Sequence, residues 1–214
     1  MTNIDPKIDR RQEILVGAFS ALMKNGLPAL SFEAIAEEAG VSRQLVRYHF
    51  SDNEGLMIAL CDLLAARYRD MLINGMMKVE GGNRLDVFLD YYFDLLDGAP
   101  KPRDDQAYDA LMSLSARYPK VKENLRNGYT LLGQVVSHEI ELTSPSLGSQ
   151  ASQELSYLFV ALMYGHWKMV ASLGLAEDHK IITRKAIDRL IQSYQNDEGE
   201  SGPPVAVWRQ EPET

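Results

Sequence analysis

The chain of 214 residues holds one cysteine, Cys61. A single cysteine excludes an intramolecular disulfide, and with it the stapled class of small secreted fold. No run approaches the roughly 18 consecutive apolar residues of a membrane-spanning helix. The opening stretch MTNIDPKIDRRQE lacks the apolar segment of a secretory leader. We therefore expect a chain that stays in the cytoplasm and does not engage a membrane. An excess of positive charge is missing too. The net charge is −8, which argues against a protein that coats nucleic acid without selectivity. The four histidines, His49, His138, His166 and His179, form no cluster at metal-ligand spacing. A Gly-rich phosphate loop, a nucleophile elbow and paired carboxylates are also lacking, so no cofactor, metal or catalytic activity is expected. Cys61, on an apolar helical face, reads as a small buried hydrophobe and not as a nucleophile.

What is present is helical periodicity from end to end, and the expected fold class is all-α with about nine helices. Ile14, Ala18 and Leu22 recur at helical spacing in a first helix over residues 8–25. Ser31 is a good N-cap for a second helix ending near Glu38, and Gly40 makes the turn that follows. Ser42 caps a third short helix, residues 43–50. Ser51 and Glu54 have capping-box spacing at the head of a longer helix reaching about Met77. The stretch Glu80–Asn83 is a break. Further helices are expected over 85–96, 105–116, 119–142, 152–173 and 178–195. Residues 143–151 read as a loop, and 197–214 as a flexible tail. The expected division is a domain over 1–52, a second over 53–196 and the tail.

Three short helices with a glycine turn between the second and third make a helix-turn-helix, in which the second helix braces the third and the third enters the DNA major groove. Residues 1–50 carry as many basic side chains as acidic ones, so the whole acidic excess lies further along the chain. Acidic surfaces are repelled by phosphate, which favours presenting the N-terminal end to DNA. In the third helix Val41, Val46 and Phe50 supply the buried side. Arg43 and Arg47 lie one turn apart on a face without acid on that helix, flanked by Gln44, Tyr48 and His49. Arg suits guanine edges and Gln adenine edges, whereas Tyr48 and His49 suit phosphate or sugar. Ser31 and Ser42 cap helix N-termini, which also attract phosphate. Each of these side chains also has a purely structural reading, as a solvated face or as packing against the first helix.

The pattern Ile14-Leu15-x-x-Ala18-Phe19, Gly26, Leu30-Ser31, Ile35-Ala36-x-x-Ala39-Gly40-Val41-Ser42 and Tyr48-His49-Phe50 resembles the N-terminal domain of the tetracycline-repressor family, without a gap over about residues 10–60. The resemblance implies an N-terminal operator-binding domain and a C-terminal body that binds a small effector and forms a homodimer. It departs from the family pattern at Gln44, Arg47 and Asn53, so its operator preference should be its own. Asn53, at the start of the fourth helix, forfeits a phosphate-binding charge that the family often has. The resemblance further implies a pocket in the body, for which Tyr91, Met112, Tyr129, Phe159, Met163 and Trp167 are candidates. The plainer reading of these six is helix-bundle core. The segment 152–173 is apolar on nearly every side. With Ile182, Ala186, Ile187, Leu190, Ile191 and Tyr194 of the last helix, it is expected to pair with a second copy. A helical adaptor that binds a protein partner is the alternative from another class.

Overall fold

The computed structural model describes residues 6–76, 84–196 and 207–209, with side chains from residue 10 to 70 and over the two later stretches. Among these residues there are nine α-helices and no strand, and the chain is all-α. The helices are α1 (Pro6–Asn25), α2 (Phe32–Glu38), α3 (Arg43–His49), α4 (Asn53–Met76), α5 (Arg84–Tyr92), α6 (Asp105–Ser115), α7 (Pro119–Thr143), α8 (Gly148–Leu173) and α9 (His179–Asn196). The expected break at Glu80–Asn83 lies outside the described residues, as does most of the expected tail.

Contacts divide the chain into two compact units. One comprises Met1–Arg67 with Arg103–Arg126, the other Tyr68–Pro102 with Asn127–Thr214. The first packing unit is therefore larger than the expected domain 1–52. Its core joins Ile14, Leu15, Ala18 and Leu22 of α1 to Ile35, Val46, Phe50, Leu56, Leu60 and Leu64, and takes in Ala107, Leu111, Val121 and Leu125 as well. Each fully buried aliphatic side chain contributes about 1.5–3 kcal/mol before entropy is charged against it. Cys61 is buried in this core, and its thiol is pushed up to about 12 by desolvation, with Asp62 adding to the rise.

The second unit is built on aromatic packing. Phe88, Tyr91, Tyr92 and Phe93 of α5 and the turn after it meet Phe159, Met163 and Trp167 of α8. Trp167 Nε1 donates to the Tyr92 carbonyl at 2.8 Å. Arg184 of α9 is buried and held by Asp86, Asp90 and Asp188, which fixes α9 to α5.

Several boundaries differ from expectation. α8 begins at Gly148, inside the stretch 143–151 expected as loop, because Pro145–Leu147 forms a short 3-10 turn and Ser152 Oγ donates to the Gly148 carbonyl at 2.9 Å. At the head of α4 it is Asp52, not Ser51, that accepts from a backbone amide, Gly55 N at 2.7 Å. The tail expected to be flexible is placed where it is described: Trp208 is half-buried against the aromatic core of the second unit.

Candidate nucleic-acid interface and effector core

The reading helix is set by local chemistry. Ser31 Oγ accepts from Ala34 N and Ser42 Oγ from Leu45 N, each at 3.2 Å, so both short helices start on a side-chain cap. Between them Val41 N donates to the Ala36 carbonyl and Gly40 N to the Glu37 carbonyl. These two bonds close α2 in a Schellman turn, and Gly40 supplies the required positive φ of 65°. Close approach of α1 depends on a second glycine: a Cβ on Gly17 would stand 2.6 Å from the Ala39 Cβ. Lys24 and Ser20 of α1 both donate to Glu38 of α2, and these bonds hold the Glu38 carboxyl below its ordinary value.

Against this brace α3 buries Val46 and sets Phe50 beneath its end, while Arg43, Gln44, Arg47 and Tyr48 are exposed. Tyr48 is 67% exposed, unusual for so large an apolar ring. His49 is half-buried, edge-on to Tyr48 with ring centroids 5.2 Å apart. Asn53 is exposed at the head of α4, Ser42 is exposed and Ser31 is half-buried. The structure therefore brings Ser42, Arg43, Gln44, Arg47, Tyr48 and His49 together on α3 and its cap. Sequence reasoning missed Glu33: its carboxylate lies 2.5 Å from Arg43 Nη1. The face of α3 carries no acid of its own, but the first turn of α2 supplies one. Only the tertiary geometry of the helix pair shows it.

The six candidate pocket residues separate. Tyr91, Phe159, Met163 and Trp167 are buried together in the second unit, and Tyr129 packs against the same core. Met112 does not join them. It packs on the core of the first unit, beside α1 and α4 residues. A lysine that sequence reasoning passed over joins the aromatic group: the buried Lys101 ammonium lies 4.1 Å from the Trp167 ring centroid and 5.8 Å from that of Tyr68. Lys101 Nζ also donates to the Pro102 carbonyl at 3.1 Å. Nothing in a Pro-flanked loop segment signals that placement in advance. Among the described residues no group of three His, Cys, Asp or Glu side chains is set to hold a metal ion.

α8 and α9 leave an apolar face uncovered. Leu155, Phe159, Val160, Met163 and Trp167 are covered within the chain, so the partner cover expected on nearly every side of this helix is not required. What remains open is Tyr157, Ala161, Met169 and Leu173 of α8 with Ile182 of α9. Ala161, Leu162, Gly165, Met169, Leu175 and Thr183 line a groove of about 260 Å³ there. Among the described residues no helix is long and apolar enough to cross a membrane.

A capped, glycine-turned helix pair that presents basic and amide side chains outward defines a helix-turn-helix DNA-binding protein. Residues 14–60 match the model of the tetR family of bacterial regulatory proteins. Over 71 residues the chain is 38% identical to the HTH-type transcriptional repressor AcnR of Corynebacterium diphtheriae, a match spanning 33% of this chain and 37% of that protein. It is 25% identical over 171 residues to the HTH-type transcriptional regulator BetI of Escherichia coli O17:K52:H18, which covers 77% of this chain and 84% of that one. The fold is shared with a transcriptional regulator of Saccharomonospora viridis solved in complex with choline, at TM-score 0.70, 20% identity and coverage of 86% and 96%.

Proposed function

We propose that this protein is a ligand-responsive repressor that acts in the cytoplasm and binds a palindromic operator as a homodimer. The observation that carries the reading is α3, a capped helix with Arg43, Gln44, Arg47 and Tyr48 all exposed on a rigid brace. Arg43, Arg47 and Gln44 are the base readers, and Ser31, Ser42, Tyr48, His49 and Asn53 contact phosphate or sugar. The functional division follows: residues 1–52 read DNA, and 53–196 bind effector and partner. Repression is supported by the N-terminal likeness to AcnR.

The effector site is the aromatic core of the second unit, with Tyr91, Tyr129, Phe159, Met163 and Trp167 around it. Met112, packed on the first unit's core, has no place in that site. The effector is a small organic molecule, and the Lys101 ammonium over Trp167 suggests its character. A ligand with a weakly hydrated cationic head would compete with Lys101 for the ring faces. The choline bound by the Saccharomonospora viridis protein has such a head.

The deciding experiment selects operator sequences from a random pool, then measures binding across a salt series. Selection of a palindrome, with affinity falling steeply as salt rises, supports the reading. Choline and other organic cations are then titrated into the complex. An effector must release DNA and raise thermal stability, and by linkage DNA must weaken its binding by the same factor. Failure to enrich any palindrome would exclude an operator-binding dimer.

A further inference from the structure

The segment after α9 is rich in Gly, Pro and acid, yet at its described part it carries a tryptophan that is not left in water. Trp208 Nε1 donates to Ser156 Oγ at 2.8 Å. That hydroxyl is itself oriented, because it donates to the Gln153 carbonyl at 2.7 Å and so keeps a lone pair for the indole. The Tyr157 ring lies 5.8 Å away, tilted at 59°. On the other side the indole lies on α7 at Gly133, where an added Cβ would come within 2.0 Å of two ring carbons. Gly133 lies inside a helix, where glycine is a poor helix former. Here the missing side chain makes a notch the width of an indole.

Three independent features thus converge on one side chain: a steric notch, an oriented acceptor and an aromatic neighbour. We infer that the α7–α8 groove is a recognition site for the chain's own C-terminal Trp208-Arg209 element, which acts as a clasp across the second unit. Trp208 packs on the same hydrophobic cluster as Phe159, Met163 and Trp167. Seating or releasing the clasp is therefore coupled to that core. Arg209 and Trp208 form one wall of a polar cleft whose other sides are Gln134, Ser137, His138, Glu141 and Gln153. Those polar neighbours make the groove suited to a peptide bearing an indole and a base.

The test uses the full-length chain grown with fluorotryptophan and fluorine NMR. The protein has two tryptophans, so the resonance lost in Trp208→Phe belongs to Trp208. In the parent protein that resonance should lie away from free fluorotryptophan and show little solvent isotope shift. In Gly133→Val it should move to the free position, while the Trp167 resonance shows that the core is intact. Gly128→Ala, on the same helix with open space around it, should leave Trp208 seated and raise Tm. Gly133→Ala should lose that gain, since the helix preference and the clash have opposite signs. If Gly133→Val does not fold, Ser156→Ala replaces it, with the expected result a several-fold rise in the solvent isotope effect at Trp208. A parent resonance already at the free position, or one that neither notch nor hydroxyl variant moves, overturns the clasp.

Discussion

Arg43 has two possible partners, and they are mutually exclusive. In the free protein it pairs with Glu33, and both side chains are at least half exposed. An exposed pair of this kind contributes about 0–1 kcal/mol to folding. On the proposed reading it also bears on binding, because the pair would have to open before the guanidinium could meet DNA. Glu33→Gln should therefore change Tm little and tighten operator binding by up to about fivefold, the equivalent of about 1 kcal/mol. Arg43→Ala and Arg47→Ala should each weaken it by about 1–3 kcal/mol where the side chain reads a base. A phosphate-binding arginine would instead weaken all sequences alike and flatten the salt slope. Fluorescence anisotropy on the selected operator and on point variants separates the cases. Glu33→Gln binding more weakly than the parent would show that Glu33 positions Arg43 and does not restrain it. At Cys61 the prediction concerns chemistry. Burial raises its thiol pKa to about 12, so the neutral form is favoured in the folded state. A raised acid pKa contributes stability that is full below the unfolded value near 8.5 and is lost as pH rises towards the folded one. The folded protein at pH 8 should react with a thiol reagent only at the rate of unfolding, and rapid stoichiometric labelling would contradict the burial.

The helix-turn-helix depends on one close contact between elements, α1 against the α2–α3 turn at Gly17. Replacing that glycine with alanine improves helix propensity by about 1 kcal/mol. It also drives a Cβ to 2.6 Å from the Ala39 Cβ and 2.9 Å from the Ala39 Cα, so backbone must move. Overpacking of this kind typically costs about 1–3 kcal/mol. Gly17→Ala should therefore lower Tm, and should cost operator affinity beyond the fraction unfolded, because the displaced turn carries α3. A variant more stable than the parent, with normal binding, would place α1 further from the turn. The same contact shows what the sequence could tell. Ser31, Gly40 and Ser42 are legible because caps and turns act over three or four residues, and the positions of α2 and α3 follow from them. The sequence places the start of α8 at Ser152, four residues late, because Gly148 and Ser149 have loop composition; the Ser152 hydroxyl bonds back to the Gly148 carbonyl of the turn so missed. Glu33 beside Arg43, Met112 in the first unit, Lys101 over Trp167 and Trp208 in the Gly133 notch had no local signal. Each depends on residues distant in sequence, and periodicity within one element is silent about them.

The open face of α8 and α9 bears on the whole molecule. Leu173 is 70% exposed, Ile182 64%, Met169 52% and Tyr157 50%. Single exposed apolar residues are ordinary, but a contiguous set on two adjacent helices marks an interaction surface. A second copy is the favoured occupant, because two helices from each subunit about a two-fold axis form a four-helix bundle in which the same patch meets itself. The small residues Ala161 and Gly165 border the groove and permit close helix approach. Leu190 is a poor place to test this, since it is half-buried against the chain's own core. Ala161 and Met169 line the groove from its exposed side. Ala161→Arg with Met169→Glu should leave helicity and the monomer core intact and shift light scattering from dimer to monomer. In the proposed dimer the second reading head would bind a palindrome intramolecularly, an advantage the monomer would lose. Affinity for the full operator should fall by at least about a hundredfold, while affinity for an isolated half-site stays within a few-fold of the parent. A folded double variant that remains dimeric at micromolar concentration would put the interface elsewhere. Monomers that still hold the palindrome at parent affinity would show that pairing of the reading heads does not depend on α8 and α9.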